Sequence, residues 1–408
     1  MSSDLTLVVV ASPFANMAPL YEVDPEADLL LLVPPRTTAF APWDAAAAPL
    51  TNGTSSSSAA QQQHKSAALA SASGLRIKVS SKHLALASRV FKNKLQFAGA
   101  GKGGSTTQSD GRVHLSLAEG FEPKAVRIVL DAIHGRGRKV PKAVDLETLA
   151  QIALFVDRFQ LGDAVEVYAD RWIGNLEGSL PEAYSRDLVL WIYASYVFGR
   201  ADVFKTVTKL AAARSDGPVR HLGLPIKEKI IRDIDAQRQE LVGKSLTLVH
   251  GTLDNLTDSS VVCSRFHCDS FLLGQLIKTL RKSGVVWPRP AKPFAGVSHV
   301  DIADTVNSNV QFRWRNSSGN SESGIGIWGV AVNGNGASVK ASSRKRKSPV
   351  QQPITPGSSP EPTQRPGITF ETHVCDAKKL VTHFDELDVL EDGVKGLDLQ
   401  SSLGYQLY

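Results

Sequence analysis

The fold is decided by residues 75–84, which read LRIKVSSKHL. Leu75, Ile77 and Val79 alternate with charged residues, and this period of two is typical of a half-buried strand. The serines that follow carry hydroxyls suited to cap the N-terminus of a helix. The next apolar positions recur at spacings of three and four, as on one face of an amphipathic helix; they are Leu84, Ala87, Phe91 and Leu95. The stretch therefore predicts a strand that leads directly into a helix.

Two further strands are predicted on either side of this stretch. Residues 29–33 are a short apolar run that stops at Pro34, as buried strands do. This run can pair with residues 75–79 as a hairpin whose loop is expanded by residues 45–73, because a longer loop adds little closure entropy. A third alternation, at Val113, Leu115 and Leu117, predicts another strand.

Helical patterns dominate from Pro123 onward, where apolar residues recur at spacings of three and four. Ser185 caps a helix that is apolar on most sides, which predicts a buried central position. The predicted helices cover residues 123–133, 149–156, 165–172, 188–198, 225–256 and 272–280, and residues 369–400 predict a short strand and an amphipathic helix. Strands that precede helices, without repeated βα units, predict an α+β fold and argue against a doubly wound sheet.

Low-complexity segments divide the chain of 408 residues, and residues 45–73 alone hold 10 Ala, 7 Ser and 3 Gln. The remainder is long enough to bury a sizeable core, which excludes a fibrous or wholly disordered chain. We expect an N-terminal segment (1–23), an α+β domain (24–175) with a low-complexity insert (45–73) and a flexible loop (98–110), a helical extension (180–312), a disordered basic Pro/Ser-rich loop (316–367) and a C-terminal segment that packs on the extension (368–408).

Charge and cysteine content restrict the class of protein. Two clusters of four cations each exceed the net charge of +6, so the rest of the chain is near neutral and the broad basic face that nucleic-acid binding requires is not expected. Three cysteines cannot form a disulfide framework, which favours a reducing compartment. No apolar run reaches the about 20 residues of a membrane-spanning helix, and residues 1–4 lack the positive start of a signal peptide. We therefore expect a protein of the nucleus or cytoplasm without membrane contact.

Several motifs recur in a characteristic order. The first half of the predicted α+β domain holds an acidic-then-apolar strand at 26–33, the stretch 75–84 and the motif at 88–91, and its second half is residues 121–172. The helical extension adds Ser185–Leu188 with Trp191, Ser215–Pro218, Cys268–Ser270 with Leu273 and Gly274, Pro288–Pro290, and the segment 373–399. Together these motifs resemble BTB/POZ domain proteins of the filamentous-fungal type, over residues 24–400 outside the inserts.

The resemblance implies a protein–protein interaction fold, a small sheet capped by helices that often self-associates. We therefore expect a scaffold or regulator without catalysis of its own. Some members of the wider family present substrates to a cullin ubiquitin ligase, so a cullin adaptor is the alternative, although no 40–50-residue repeat of a recognition module is found. The chain departs from the family in the insert at 45–73, at the edge where a strand-exchanged homodimer would pair.

Enzyme signatures are not found in the sequence: there is no nucleophile elbow, no H-E-x-x-H and no G-x-G-x-x-G between a strand and a helix. Residues 99–106, GAGKGGST, come nearest to a phosphate loop. However, Gly103 stands where a Ser or Thr must follow Lys102. These residues predict a flexible linker, and we expect neither catalytic residues nor a bound cofactor.

The three cysteines lie in the last third of the chain. Cys263 and Cys268 have a spacing permitted for zinc ligands, and His373 with Cys375 would complete a tetrahedral structural site. His267 competes with His373 for the fourth position. The alternative is three buried thiols that act as small apolar side chains.

A basic run lies within the Pro/Ser-rich segment and consists of Arg344, Lys345, Arg346 and Lys347. Four cations on accessible backbone suit an acidic groove of an import receptor, which predicts a nuclear-localisation signal and favours the nucleus; a solvated charge run is the alternative. Three candidate phosphorylation sites precede prolines: Ser348, Thr355 and Ser359. A phosphate on Ser348 would add about −2 charge beside the cations and weaken the contact.

A second basic cluster follows the helix that ends near Gly135 and consists of Arg136, Arg138, Lys139 and Lys142. Cations at this position stabilise the helix dipole, and a partner-binding patch is the alternative. The aromatic residues Trp172, Trp191 and Phe198 are predicted to lie in the core, Trp287 on an exposed loop, and His83 packed at the start of a helix.

Overall fold

The computed structural model describes residues 18–43, 74–99, 110–118, 120–258, 266–285, 288–309, 313–315, 329–331, 374–376 and 378–403. The predicted α+β class is confirmed, since a small four-stranded sheet is combined with many helices. The chain divides into two compact units: Met1–Leu246, Arg289–Ile302 and Val389–Tyr408 form the first, and Thr247–Pro288 with Ala303–Asp388 the second. The boundary predicted at residues 175–180 falls inside the first unit.

The four-stranded sheet of the first unit contains β1 (Leu20–Glu22), β2 (Leu29–Val33), β3 (Leu75–Val79) and β4 (Val113–Ser116) in the order β1-β3-β2-β4. The predicted hairpin is confirmed, because β2 and β3 pair antiparallel with Leu29 opposite Val79 and Val33 opposite Leu75. β4 runs parallel to β2 on its other side, and β1 runs parallel to β3. All five residues of β2 are buried, as expected for a central strand without polar positions.

The helix predicted after β3 is two helices, α1 (Ser81–Ala87) and α2 (Arg89–Gly99). Ser88 lies between them with extended backbone, φ −143° and ψ 120°. Its hydroxyl accepts a hydrogen bond from the Phe91 N–H at 3.0 Å and donates one to the Phe159 carbonyl at 2.5 Å. The prediction of a single helix was wrong because the apolar spacing continues through Ser88 while the buried serine ends one helix and caps the next.

Three helices pack on the sheet: α3 (Pro123–Ile133), α4 (Leu146–Phe159) and α5 (Gly162–Leu176). Phe91 stacks on Phe159 with ring centroids 4.4 Å apart, which joins α2 to α4. Trp172 of α5 is fully buried, as predicted, and its indole N–H donates to the Pro141 carbonyl at 2.8 Å.

The helical part of the first unit is built on α6 (Arg186–Val197), α7 (Ala201–Arg214) and the start of α8 (Glu228–Asp258). α6 is capped by Ser185 and buried on all sides, as predicted, with Trp191 in the core; Phe198 is only half-buried. α8 begins after the predicted Pro225, because Leu224 to Ile226 form a turn closed by a 2.8 Å backbone hydrogen bond. The sequence analysis did not predict α7, nor α10 (His299–Asn309), which follows α9 (Phe266–Lys282).

Residues 393–403, which we call the strap, cross α7. The strap follows α11 (Lys378–Asp392) and includes the short helix α12 (Leu399–Leu403). The N–H of Leu397 donates to the buried hydroxyl of Thr208 at 2.8 Å. Gly396 has φ +68° and lies so close to α7 that a Cβ there would overlap the Lys205 carbonyl oxygen. Main-chain contacts therefore hold the strap against α7, and the closest of them requires glycine at position 396.

The second unit contains the end of α8, α9, most of α10 and α11, and a three-stranded antiparallel sheet. Its strands are β5 (Arg313–Arg315), β6 (Gly329–Ala331) and β7 (Val374–Asp376), with β5 in the centre. β7 and α11 agree with the strand and helix predicted for residues 369–400. Among the described helices of the chain, none combines the length and the apolar character needed to cross a membrane.

Candidate functional site

The predicted zinc ligands are only partly described. Cys268 lies in α9 and Cys375 on β7, while Cys263 and His373 lie outside the described residues. Where the structure describes the chain, it brings together no group of three or more His, Cys, Asp or Glu side chains that could hold a metal ion. The import signal at 344–347 and the candidate phosphorylation sites Ser348, Thr355 and Ser359 also lie outside the described residues, as does Trp287. All of these stay predictions.

The basic cluster after α3 has contacts with the edge strand β1. Arg136 donates a hydrogen bond to the Glu22 carbonyl at 3.1 Å, and the Lys139 ammonium lies 5.3 Å from the centre of the Tyr21 ring. The Tyr21 hydroxyl donates to the Asp131 carboxylate at 2.9 Å. Burial, together with this carboxylate, raises the pKa of Tyr21, so the phenol keeps its proton. Two members of the cluster therefore stabilise the sheet edge, while Arg138 and Lys142 are exposed.

A cleft in the first unit is the candidate ligand site, and we call it the Trp43 cleft. Its volume is about 440 Å³, within the range of pockets that hold small ligands or peptide side chains. Four separate segments of the chain meet there: the loop after β2, the turn before α6, the α7–α8 connection and the start of α10. The lining residues are Trp43, Ala183, Tyr184, Arg214, Asp216, Arg220, Ser298, Val300 and Asp301.

The loop that carries Trp43 is held in place by Arg186, in the first turn of α6. The guanidinium donates to the carbonyls of Phe40 and Ala41, each at 2.9 Å, and forms an ion pair with Glu147 of α4, also at 2.9 Å. These hydrogen bonds, donated by a charged guanidinium, stabilise the loop, in which Ala41 has φ +44°. Arg186 belongs to the Ser185–Leu188 motif of the resemblance, so a motif residue positions one wall of the cleft.

Two aromatic residues pack together on this side of the cleft. The rings of Trp43 and Tyr184 meet edge to face with centroids 5.5 Å apart, and the Arg220 guanidinium lies 5.0 Å from the centre of the Trp43 ring. The Tyr184 oxygen accepts a hydrogen bond from the Arg220 N–H at 2.9 Å. Burial, with a smaller contribution from the Asp216 charge, raises the pKa of Tyr184, and its hydroxyl stays protonated at neutral pH.

The opposite wall combines both signs of charge. Arg214 is the last residue of α7, and Asp216 follows in the Ser215–Pro218 motif, where its carbonyl accepts from the Gly296 N–H at 2.8 Å. The Ser298 hydroxyl donates to the Asp301 carboxylate at 2.7 Å and accepts from the Asp301 N–H at 3.1 Å, which caps α10. One oxygen of the Asp301 carboxylate is therefore already used in a hydrogen bond within the first turn of α10.

Glu391, which precedes the strap, lies near two residues of this wall. One carboxylate oxygen lies 3.8 Å from the Arg214 guanidinium, and the other lies 3.7 Å from Nε2 of His299. His299 is fully buried, and its Nδ1 lies 2.8 Å from the Ser245 hydroxyl. The end of α11 therefore lies close to both Arg214 and the first residue of α10.

The set Ser245, His299 and Glu391 has the composition of a hydrolase triad but not its accessibility. The serine is fully buried, and its hydroxyl already donates to the Leu241 carbonyl at 2.8 Å. A nucleophile must reach the substrate, so this arrangement is suited to positioning helices instead.

The Trp43 cleft therefore combines aromatic surface, two guanidinium groups, a protonated phenol and two carboxylates. The sequence analysis missed this cleft, although one of its motifs, Ser215–Pro218, contains the lining residue Asp216 and another, Ser185–Leu188, follows the lining residue Tyr184. No protein-family model matches the chain, and neither a curated protein nor a solved structure matches it. Function is accordingly inferred from the arrangement of the residues themselves.

Proposed function

We propose that this chain is a non-catalytic protein–protein interaction scaffold, active in the nucleus or cytoplasm, with a BTB/POZ-like domain at its N-terminal end. The observation that carries the proposal is the order of elements in the first unit. The hairpin β2–β3 leads into α1 and α2, β4 then joins β2 in parallel, and α3 to α5 cover the sheet. This is the small sheet capped by helices that the resemblance implies.

Contacts between the motifs give further support. The stretch 75–84 and the segment around His134 were singled out from separate parts of the sequence, and the Ser80 N–H donates to His134 Nε2 at 3.1 Å. In the helical extension, Arg186 and Asp216 come from two other motifs and adjoin the same cleft. Because residues from separate motifs meet at one cleft, we infer that these motifs serve a common binding function.

The absence of catalysis belongs to the same proposal. The buried Ser245 has no path to a substrate, and the charged groups of the Trp43 cleft lie beside aromatic rings, as in recognition sites for peptides. The mechanism would be the burial of partner surface in the cleft and on the sheet domain.

The test is affinity purification of the tagged full-length chain from cell extract, with mass spectrometry of the proteins that co-purify and light scattering of the purified chain. A scaffold recovers partner proteins or further copies of itself in near-stoichiometric amounts. Recovery of a cullin in such amounts would replace the scaffold by the adaptor alternative. A strict monomer that recovers no protein would contradict the proposal.

A further inference from the structure

Arg214 has an unusual environment for an arginine in a cleft wall. Its side chain is 29% exposed, its Nε is buried, and none of its donors forms a hydrogen bond within the described part of the chain. Its nearest anion, Glu391, lies 3.8 Å away, beyond hydrogen-bond distance. The Nη1 and Nη2 groups are not buried, and they can donate hydrogen bonds to a ligand in the cleft that Arg214 lines.

Tyr184 offers a second donor in the same cleft. Its oxygen accepts from Arg220, which leaves its hydroxyl hydrogen to donate, and no described residue accepts it. On the other side, the carboxylate of Asp216 makes no hydrogen bond or ion pair to a described residue. Among the described residues, the cleft thus presents two donor groups that have no acceptor and one carboxylate that has no donor.

We propose that the Trp43 cleft binds a carboxylate of a partner peptide, which Arg214 and Tyr184 hold while Asp216 accepts a main-chain N–H of the same peptide. The inference rests on the proposed function, since it names the chemistry that a partner would present. A planar carboxylate matches the fork of a guanidinium, and a nearby peptide N–H matches an isolated carboxylate. The apolar side chain beside that carboxylate would pack on Trp43 and Val300.

Glu391 predicts how the site responds to substitution. Its carboxylate attracts the same guanidinium from behind the wall, at 3.8 Å, and so competes with a ligand for Arg214. Removal of the Arg214 charge should weaken peptide binding, whereas removal of the Glu391 charge should strengthen it. Opposite responses of two contacting residues would not follow from a general loss of structure.

The experiment is calorimetric titration of the full-length chain with three acetylated peptides. The first ends in Val-Leu with a free carboxylate, the second has the same sequence with a C-terminal amide, and the third is an amide with an internal Glu before Leu. We expect the first or third to bind and the uncharged second to bind at least about 10-fold more weakly, as for a lost charge-assisted hydrogen bond. The first and third distinguish a terminal from a side-chain carboxylate.

The variants complete the test. Arg214→Gln should weaken the preferred peptide about 10- to 100-fold, and Glu391→Gln should tighten it. Arg232→Gln, at an exposed position on α8, is the matched control and should change nothing. Equal binding of the amide and acid peptides, no binding of any of the three, or unchanged affinity in Glu391→Gln would overturn the inference. Partners recovered with an unaltered yield from Arg214→Gln would leave the scaffold proposal standing without this site.

Discussion

His134 accepts a hydrogen bond at Nε2 from the backbone N–H of Ser80, over 3.1 Å. Its other nitrogen, Nδ1, donates to the Leu130 carbonyl at 2.8 Å, so the ring must be neutral to make both bonds. The imidazole thereby joins the end of α3 to the residue that caps α1. His83, predicted to be packed, is instead exposed, with its ring 4.8 Å from that of His134.

The first prediction concerns pH. Burial, and secondarily the neighbouring His83, lowers the pKa of His134 below its ordinary 6.5. The unfolded chain therefore binds a proton more readily, and the stability that neutral His134 contributes is present above pH 6.5 and is lost as the pH falls through the lowered value. His134→Ala should cost about 1–3 kcal/mol at pH 8 because it orphans the Ser80 N–H.

Urea unfolding at pH 8, 6.5 and 5.5 measures this effect. The difference between wild type and His134→Ala should shrink towards acid pH, and His83→Ala should change stability little because that side chain is exposed. A difference that is constant across these pH values, or that grows in acid, would show that His134 does not act in this way.

Ser88→Ala tests the break between α1 and α2. The substitution removes the cap of the Phe91 N–H and the donor to the Phe159 carbonyl, and it should cost about 1–2 kcal/mol of unfolding free energy. Ser179→Ala is the control, because that exposed hydroxyl donates only to a carbonyl three residues before it. Equal urea midpoints for the two variants would contradict the role given to Ser88.

Sequence patterns predicted the helices and strands that are long enough to show a full period of apolar residues. The alternation at Leu75, Ile77 and Val79 gave β3, and the helical spacing from Pro123 gave α3 to α6. The three-residue strands β1 and β5 to β7 were not predicted, apart from β7, because such strands exist through their pairing partners and carry too few residues for a period. α7 was overlooked although Val203, Phe204, Val207 and Ala211 have helical spacing.

The candidate site could not be predicted in the same way. Trp43, Tyr184, Arg214 and Ser298 are up to 255 positions apart, and only the tertiary structure brings them to one cleft. Sequence patterns did single out the lining residue Asp216 and its neighbour Arg186, but as members of motifs and without a role. The donors of Arg214 can be compared with the described acceptors around them only in the tertiary structure.

Gly396→Ala tests the docking of the strap. A side chain at φ +68° costs about 1–2 kcal/mol, and the added Cβ would also overlap the Lys205 carbonyl oxygen. Hydrogen exchange of residues 394–403 should become faster in this variant. Gly174→Ala in α5, where a Cβ meets nothing within 4 Å, should leave the exchange unchanged and stabilise the helix by up to about 1 kcal/mol. Unchanged exchange in Gly396→Ala would mean that the strap docks without this close approach.

Arg238 of α8 provides a buried counterpart to these surface contacts. Its fully buried guanidinium pairs with Asp235 at 2.8 Å and donates to the carbonyls of Pro293 and Phe294 at 2.7 and 3.1 Å. Arg238→Met should cost about 3–5 kcal/mol, because it leaves three acceptors without their donor. Lys244→Met, which breaks the exposed pair with Glu240 on the same helix, should leave the stability measured by chemical denaturation almost unchanged. Similar losses for both would refute the buried role.

The central claim is that this chain binds protein partners through the Trp43 cleft of the first unit. The most direct measurement compares, by quantitative mass spectrometry, the proteins recovered with the tagged full-length wild type, with Trp43→Ala and with the control Arg232→Ala. We predict a defined set of partners that is retained by the control and depleted at least about 10-fold by Trp43→Ala, as for loss of a buried aromatic anchor. Recovery of the same proteins in equal amounts from all three, or of no protein with the wild type, would contradict the claim.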